Sequence, residues 1–120
     1  MKETNALTKI LIKIFDKESN TNKWVHLCYV PETLYEMYRT QLPDHLLGLN
    51  TTLSEWVKRD FNVDLDITNN EELETMKGLI KNHYKEAYPD IYLEQSTDRQ
   101  GWLRVWIVRK MREDLGINGE

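Results

Sequence analysis

The stretch GWLRVWIVRKM, residues 101–111, decides how the chain is divided into strands and helices. Three aliphatic residues recur in it at every second position: Leu103, Val105 and Ile107. That period is typical of a half-buried β-strand. A second β-rich run, DIYLEQS at 90–96, and a turn sequence, TDRQG at 97–101, precede it. The pattern therefore predicts a C-terminal hairpin whose second strand spans residues 101–110.

The N-terminal part of the chain shows the same alternation. In TKILIKIFD, residues 8–16, isoleucines occupy every second position and lysines or other residues the positions between. The polar cluster at 19–22 is a turn signal, and the β-branched and aromatic run KWVHLCYV follows it up to Pro31. Residues 7–30 are therefore predicted to form a first hairpin.

Three helices are predicted between the hairpins. The first begins at Pro31 and runs to about Leu42, because apolar residues recur there at steps of three and four. The capping-box sequence TLSE at 52–55 predicts the start of a short second helix. Asn69 and Asn70 are suitable N-caps for a third helix that ends at Pro89.

The predicted fold is one α+β domain over residues 1–120. Its elements follow the order ββαααββ, with a four-stranded, mostly antiparallel sheet and the helices on one face. Residues 111–120 are predicted to be a flexible C-terminal tail. A chain of 120 residues is long enough to bury a core without disulfides or metals.

The alternation divides the predicted sheet into two faces. The aliphatic face toward the helices would hold Ile10, Ile12, Ile14, Val25, Leu27, Ile91, Leu93, Leu103, Val105 and Ile107. The opposite face would display aromatic and basic side chains: Lys9, Lys13, Phe15, Trp24, His26, Tyr92, Trp102, Arg104 and Trp106. An antiparallel face of this composition is expected to be used or covered.

Charge is unevenly distributed along the chain. Residues 1–30 and 99–120 each carry five bases and three acids, whereas residues 31–98 carry six bases and fourteen acids. The helical layer is therefore expected to be acidic, and we expect its surface to include Glu32, Glu36, Asp64, Asp66, Glu71, Glu72 and Glu74.

Protein binding is the predicted function. Large stiff side chains beside arginine have the composition of an interface hot spot, so the predicted site is Lys13, Trp24, His26, Tyr92, Trp102, Arg104 and Trp106. The acidic helices could instead oppose a basic partner, in the manner of an inhibitor of a nucleic-acid-binding protein. A covered face, under the C-terminal tail or in a homodimer, is the other interpretation.

Nucleic-acid binding is the alternative function. Aromatic side chains could stack on bases while Lys13, His26 and Arg104 hold phosphates. The net charge of −4 argues against binding to a polyanion, although the two hairpins are locally basic.

A local resemblance favours the same alternative. VHLCYVPETLYEMYRTQL, residues 25–42, followed by LNTTLSEWVKRDF, residues 49–61, resembles ribbon-helix-helix DNA-binding proteins. The resemblance implies that Val25, Leu27 and Tyr29 face the major groove and that Thr51 or Thr52 touches phosphate. These strand residues are apolar, whereas that family reads bases with polar side chains.

No complete catalytic motif is present, so the chain is predicted not to be an enzyme and to need no cofactor or metal. His26 and Cys28 lie two apart on one predicted strand face, and Asp64 and Asp66 share a face if extended. Pro89-Asp90 with Glu94 resembles the PD-(D/E)xK nuclease signature but lacks its lysine.

The single cysteine rules out an intramolecular disulfide and favours a reducing compartment. The apolar run near the N-terminus is interrupted by Lys13 and is far shorter than the ~20 residues of a membrane span. A cytoplasmic protein that does not span membranes is therefore expected.

Overall fold

A computed structural model describes residues 6–89 and 101–117 of the chain. It has the α+β class but not the predicted topology. Within these residues a two-stranded antiparallel sheet is followed by five helices, so the predicted four-stranded sheet is wrong. The elements are β1 (Leu7–Asp16), β2 (Thr21–Pro31), α1 (Glu32–Gln41), α2 (Pro43–Leu47), α3 (Leu49–Phe61), α4 (Asn70–Ala87) and α5 (Gly101–Leu115).

The first hairpin is confirmed, with one irregularity. Its register pairs Ile12 with Val25 near the turn and Ile10 with Cys28 nearer the open end, which leaves Leu27 as an extra residue on β2. Such a β-bulge turns two neighbouring side chains to the same side. Leu27 and Cys28 are accordingly both buried against the helices.

Two of the predicted helices have the expected limits. α1 starts directly after Pro31 and ends at Gln41. At the start of α4, the Asn69 side chain accepts a hydrogen bond from the Glu72 backbone N–H at 3.0 Å, and the Glu72 carboxylate accepts one from the Thr68 N–H. The two bonds resemble a capping box, except that Glu72 reaches the residue before the N-cap, and they lie 17 residues beyond the TLSE sequence that was predicted to form one.

The predicted start of the second helix is wrong. α3 begins at Leu49, so Thr52 lies inside it and its hydroxyl donates to the His45 carbonyl of α2 at 2.8 Å. The loop that was expected after the first helix contains α2, which begins at Pro43. Single residues, Leu42 and Gly48, join α1 to α2 and α2 to α3. The chain thereby returns to the hairpin, where Asn50 of α3 donates to the Lys13 carbonyl of β1.

GWLRVWIVRKM is a helix and not a strand. Its large residues also recur at steps of four, and in α5 that period places one stripe of side chains in the core: Trp102, Leu103, Trp106, Ile107, Lys110 and Met111. A strand would have left Trp102 and Trp106 on an outer face, whereas the helix buries both. The apolar residues fit either period, and burial of the two indole rings distinguishes the two structures. The partner strand predicted at 90–96 lies outside the described residues.

Helices α3 and α5 exchange two indole hydrogen bonds. Trp106 of α5 donates to Asp60 of α3 at 2.8 Å, and Trp56 of α3 donates to Asp114 of α5 at 2.9 Å. The two indole rings meet edge to face with centroids 5.9 Å apart. The ammonium of Lys110, buried in α5, lies 2.6 Å from Asp60 and so neutralises that carboxylate. The two hydrogen bonds therefore fix the relative position of α3 and α5, and the Lys110–Asp60 ion pair adds an electrostatic attraction between them.

Asp114 accepts hydrogen bonds from side chains of two other helices, α1 and α3. Its side chain, 8% exposed, accepts from Trp56 and from the Tyr38 hydroxyl at 2.8 Å, and it pairs with Arg59 at 3.0 Å. Burial alone would raise the pKa of Asp114, but these donors outweigh it and hold the pKa below its ordinary value. Burial and the bond to Asp114 raise the pKa of Tyr38, which therefore stays protonated. Residues 111–115, expected in a tail, form the end of α5 and carry this network.

Removing one indole N–H should destabilise the fold. We expect Trp106→Phe to lower the free energy of unfolding by about 1–3 kcal/mol, because the part-buried hydrogen bond to Asp60 is lost and the smaller ring fills less of the core. Urea denaturation measures this loss. Trp24→Phe, at a position that is 64% exposed, is the matched control and should stay within about 0.5 kcal/mol of wild type. Equal effects of the two substitutions would contradict the assignment of Trp106 to the core.

Acid should weaken the network through Asp114. Because its folded pKa lies below the ordinary value of 3.8, its contribution is present above that pH and is lost as the pH falls through the folded value. We expect Asp114→Asn to cost about 1–3 kcal/mol at neutral pH and to reduce the loss of stability below about pH 4. Denaturation curves across that range test this. A variant with the wild-type acid dependence would contradict it.

Candidate binding face on the outer side of the hairpin

One side of the hairpin is turned away from all five helices. It is formed by alternate side chains of β1 and by the side chains of β2 that point away from the helices. We call this set the outer hairpin face: Leu7, Lys9, Leu11, Lys13, Phe15, Trp24, His26 and Tyr29. The described residues include eight exposed large apolar side chains, and five of these lie on this face. The apolar surface left by folding is therefore concentrated at one place.

Cross-strand pairing arranges the outer hairpin face as rows. Lys9 lies opposite Tyr29, Leu11 opposite His26, and Lys13 opposite Trp24. The Lys13 ammonium stands 5.2 Å from the centroid of the Trp24 ring, a cation–π distance. Each row therefore pairs an aromatic or imidazole ring with a lysine or leucine.

The β-bulge completes the face on β2. Because Leu27 is inserted, His26 and Tyr29 become neighbours on the outer side, with ring centroids 4.7 Å apart at a steep angle. The same insertion separates His26 from Cys28, which is buried on the other side. The prediction that His26 and Cys28 share a strand face is therefore wrong, and the pair offers no thiol and base for catalysis.

The outer hairpin face carries bases and no acid. Lys9 and Lys13 form no ion pair with any carboxylate of the described residues. The nearest acid along β1 is Asp16, at the turn, where Ser19 and Lys23 donate to it and lower its pKa. The face thus has a local charge of the opposite sign to the chain's net −4.

The structure separates the aromatic residues that the sequence had grouped. Trp24, His26 and Lys13 lie on the outer hairpin face, while Trp102 and Trp106 are in the core at 7% and 1% exposure. Arg104 packs beneath β2, where its Nε donates to the Tyr29 carbonyl at 3.0 Å. Tyr92 lies outside the described residues.

Sequence reasoning missed three residues of the face. Leu7 and Leu11 share the parity of Lys9 and Lys13, so the alternation of β1 could have identified them. Tyr29 could not be found in this way, because the bulge changes which residues of β2 point outward, and no simple sequence pattern predicts a bulge. The same reversal affects the ribbon-helix-helix resemblance, since Leu27 points into the core and only Tyr29 of its three strand residues points outward.

The acidic residues are spread over the helices and largely paired at short range. Ion pairs join Glu36 to Arg39, Asp64 to Lys58, Glu71 to Lys17 and Glu74 to Lys77. Glu72, at the start of α4, accepts a hydrogen bond from the Thr68 hydroxyl at 3.0 Å. Glu32 and Asp66 are exposed, at the start of α1 and in the segment before α4. Together they form a dispersed acidic surface and not a single patch.

Two clefts also open on the surface of the described residues. One of about 540 Å³ lies between the hairpin turn and the start of α4 and contains both acids and lysines. The other, of about 300 Å³, lies between α3, α4 and α5, and the Arg109 guanidinium stacks there on Tyr88 at 4.8 Å.

The described part of the chain offers no cluster of three or more side chains suited to a metal ion. None of the helices in residues 6–89 and 101–117 has the length and apolar character to cross a bilayer.

Comparison with known proteins identifies no relative. No family model, no curated protein and no solved structure matches the chain. Any assignment of function therefore depends on the geometry of the molecule alone.

Proposed function

We propose that the protein is a non-catalytic binding module that docks on another protein through the outer hairpin face. The observation that carries this proposal is the concentration of exposed apolar side chains on one face that contains bases and no acid. Protein interfaces are enriched in large aromatic residues, which bury much area for little loss of side-chain entropy. Trp24, 64% exposed, would be the central anchor.

The charges of the face favour a partner with an acidic and apolar surface. Lys9 and Lys13 stand on either side of Leu11, so a partner that covers Leu11 would bring its own charges close to both ammonium groups. Two copies of this face would bring four lysine ammonium groups into one interface with no carboxylate on the face to offset them, which is unfavourable. We therefore propose a different protein as partner and not a second copy.

The dispersed acidic residues give weaker support to an inhibitor of a nucleic-acid-binding protein. Most of them already pair with neighbouring bases, so their field is partly neutralised before any partner arrives. We place the module inside the cell, because its only cysteine is buried and offers no disulfide.

Nucleic-acid binding remains the second candidate. Its support is the same face, since Trp24, Tyr29 and Phe15 could stack on bases beside Lys9 and Lys13. Each ring is exposed by a third or more, so stacking would need little rearrangement.

Charge reversal on the outer hairpin face tests the proposal. We expect Lys9→Glu with Lys13→Glu to weaken capture of the partner from native cells at least about tenfold, or about 1.4 kcal/mol. The free energy of unfolding should change by about 0.5 kcal/mol or less, because both side chains are exposed. Binding is measured by quantitative affinity capture before and after nuclease treatment.

The control variant reverses two lysines elsewhere. Lys81 and Lys85 are exposed on α4, away from the hairpin, and their replacement by glutamate should leave capture unchanged. An equal loss of partner capture in the two double variants would contradict the proposal that the outer hairpin face binds the partner. Loss of all captured protein on nuclease treatment, together with retention of labelled single-stranded RNA or DNA, would instead establish the nucleic-acid alternative.

A further inference from the structure

Among the residues that the structure describes, no strand pairs with the edge of β1 that faces away from β2, and this edge is partly open. Backbone groups on this edge can be identified because Phe15 donates its N–H to the Thr68 carbonyl at 2.9 Å and the Lys13 carbonyl accepts from the Asn50 side chain at 2.9 Å. In an antiparallel pair, every second residue directs both its N–H and its C=O away from the partner strand. Lys9 and Leu11 have the same parity, so their backbone groups point to this edge too.

The two ends of the edge differ. At the turn end, the Asn50 side chain satisfies the Lys13 carbonyl and the Thr68 carbonyl satisfies the Phe15 N–H. In the other half, the N–H and C=O groups of Lys9 and Leu11 form no hydrogen bond with any described residue. Both side chains are exposed, so water or another chain can reach them. An edge with unpaired backbone groups is a template for one more strand.

We infer that the open edge of β1 takes up an extended segment of the partner protein as a third strand. This inference rests on the proposed function and names how the partner binds. Backbone hydrogen bonds to Lys9 and Leu11 supply the attachment, and the side chains of the added strand alternate between the two faces of the sheet.

The neighbouring side chains specify the partner's sequence. On the outer side the added strand runs beside Lys9, Leu11 and Lys13, so it should carry an acid, an apolar residue and an acid at every second position. On the inner side it runs beside Ile10 and Ile12, which are buried, so the positions between should be apolar. The expected segment is therefore five residues, with acids at the ends and three apolar residues between them.

The same side chains argue against a second copy of this chain as the added strand. Two β1 strands paired antiparallel about Leu11 at their open edges would place Lys9 of one beside Lys13 of the other on the outer side. Lysine on an edge strand is a common protection against such self-pairing. The edge is thus open to acidic segments and closed to its own copy.

A peptide experiment tests the strand addition directly. The probe is a fluorescein-labelled peptide with the core Glu-Val-Tyr-Val-Glu, and the control peptide has Lys at both ends of the core. We expect the glutamate peptide to bind the protein at least about tenfold more tightly in anisotropy titrations, since unlike charges beside each other stabilise a strand pair and like charges destabilise it. Absence of binding by both peptides would overturn the inference.

Two variants at position 9 distinguish the contribution of the backbone N–H to peptide binding from that of the lysine charge. Lys9→Ala removes only the ammonium, whereas Lys9→Pro also removes the N–H at the open edge without removing a bond to β2. We expect the proline variant to lose binding and the alanine variant to keep part of it. If both bind equally, the N–H is not used and the inference is overturned.

A second route avoids proline. Cys28 allows native ligation of a synthetic segment 1–27 to residues 28–120, so Leu11 can carry a methyl group on its backbone nitrogen. This change blocks the open edge and keeps every side chain, and it should abolish binding while the circular dichroism spectrum is retained. Binding equal to that of the ligated wild type would contradict strand addition.

The outcomes also separate this inference from the proposed function. If Lys9→Pro and Lys9→Ala capture the partner protein equally while the charge reversals still reduce capture, the face binds without strand addition and only the inference fails. If neither the substitutions at Lys9 nor the charge reversals reduce capture of the partner protein, the proposed function fails too.

The chain's own sequence DIYLE, residues 90–94, has the expected pattern, so it is tested as a competitor. Peptide affinity that is unchanged by Asp90→Lys with Glu94→Lys supports an external partner. A rise in affinity would overturn that assignment in favour of the chain's own segment.

Discussion

The exchange of indole hydrogen bonds between α3 and α5 is the constraint on which the rest of the fold depends. Trp106 reaches Asp60 and Trp56 reaches Asp114, so each helix supplies one donor and one acceptor to the other. A buried indole must keep its N–H satisfied, and the largely buried carboxylate of Asp114 needs donors or a cation. Both requirements are met only when the two helices lie at one relative position.

That position determines which side of the hairpin is exposed. α5 lies beneath β2, where Arg104 bonds to the Tyr29 carbonyl, and its stripe of large side chains fills the inner side of the sheet. In the described part of the chain, the helices thus cover one side of β1 and β2 and no element covers the other side. The described sheet is only two strands wide, so part of the β1 edge has no neighbour among residues 6–89 and 101–117. The proposed binding surface is a consequence of how the core is closed.

The sequence predicts the first hairpin, α1 and α4, because their signals are local: alternation on either side of a polar turn, Pro31 before a helix, and Asn69 as a cap. It fails at GWLRVWIVRKM because apolar residues satisfy both the strand and the helix period. The choice between them depends on Asp60, which lies more than 40 residues away and supplies the acceptor for Trp106. No local pattern contains that information.

The candidate site, like the fold, was predictable from the sequence only where the signal is local. Lys13, Trp24 and His26 were identified from alternation in the hairpin, where the pattern is local. Trp102 and Trp106 were assigned to the same face only because their segment was taken as a strand. Tyr29 was missed because the bulge at Leu27 changes the parity of β2. Sequence patterns therefore find exposed aromatic residues in regular strands but not where a bulge or a distant partner intervenes.

Site-specific photo-cross-linking tests the central claim most directly. A benzophenone amino acid at position 24 would report on the outer hairpin face, and one at position 47, where Leu47 is exposed on α2, would serve as the control. On irradiation in native cells, we expect a protein to be cross-linked from position 24 and not from position 47, and the product to survive nuclease treatment. Equal protein cross-linking from both positions, none from position 24, or a product that is nucleic acid would contradict the account.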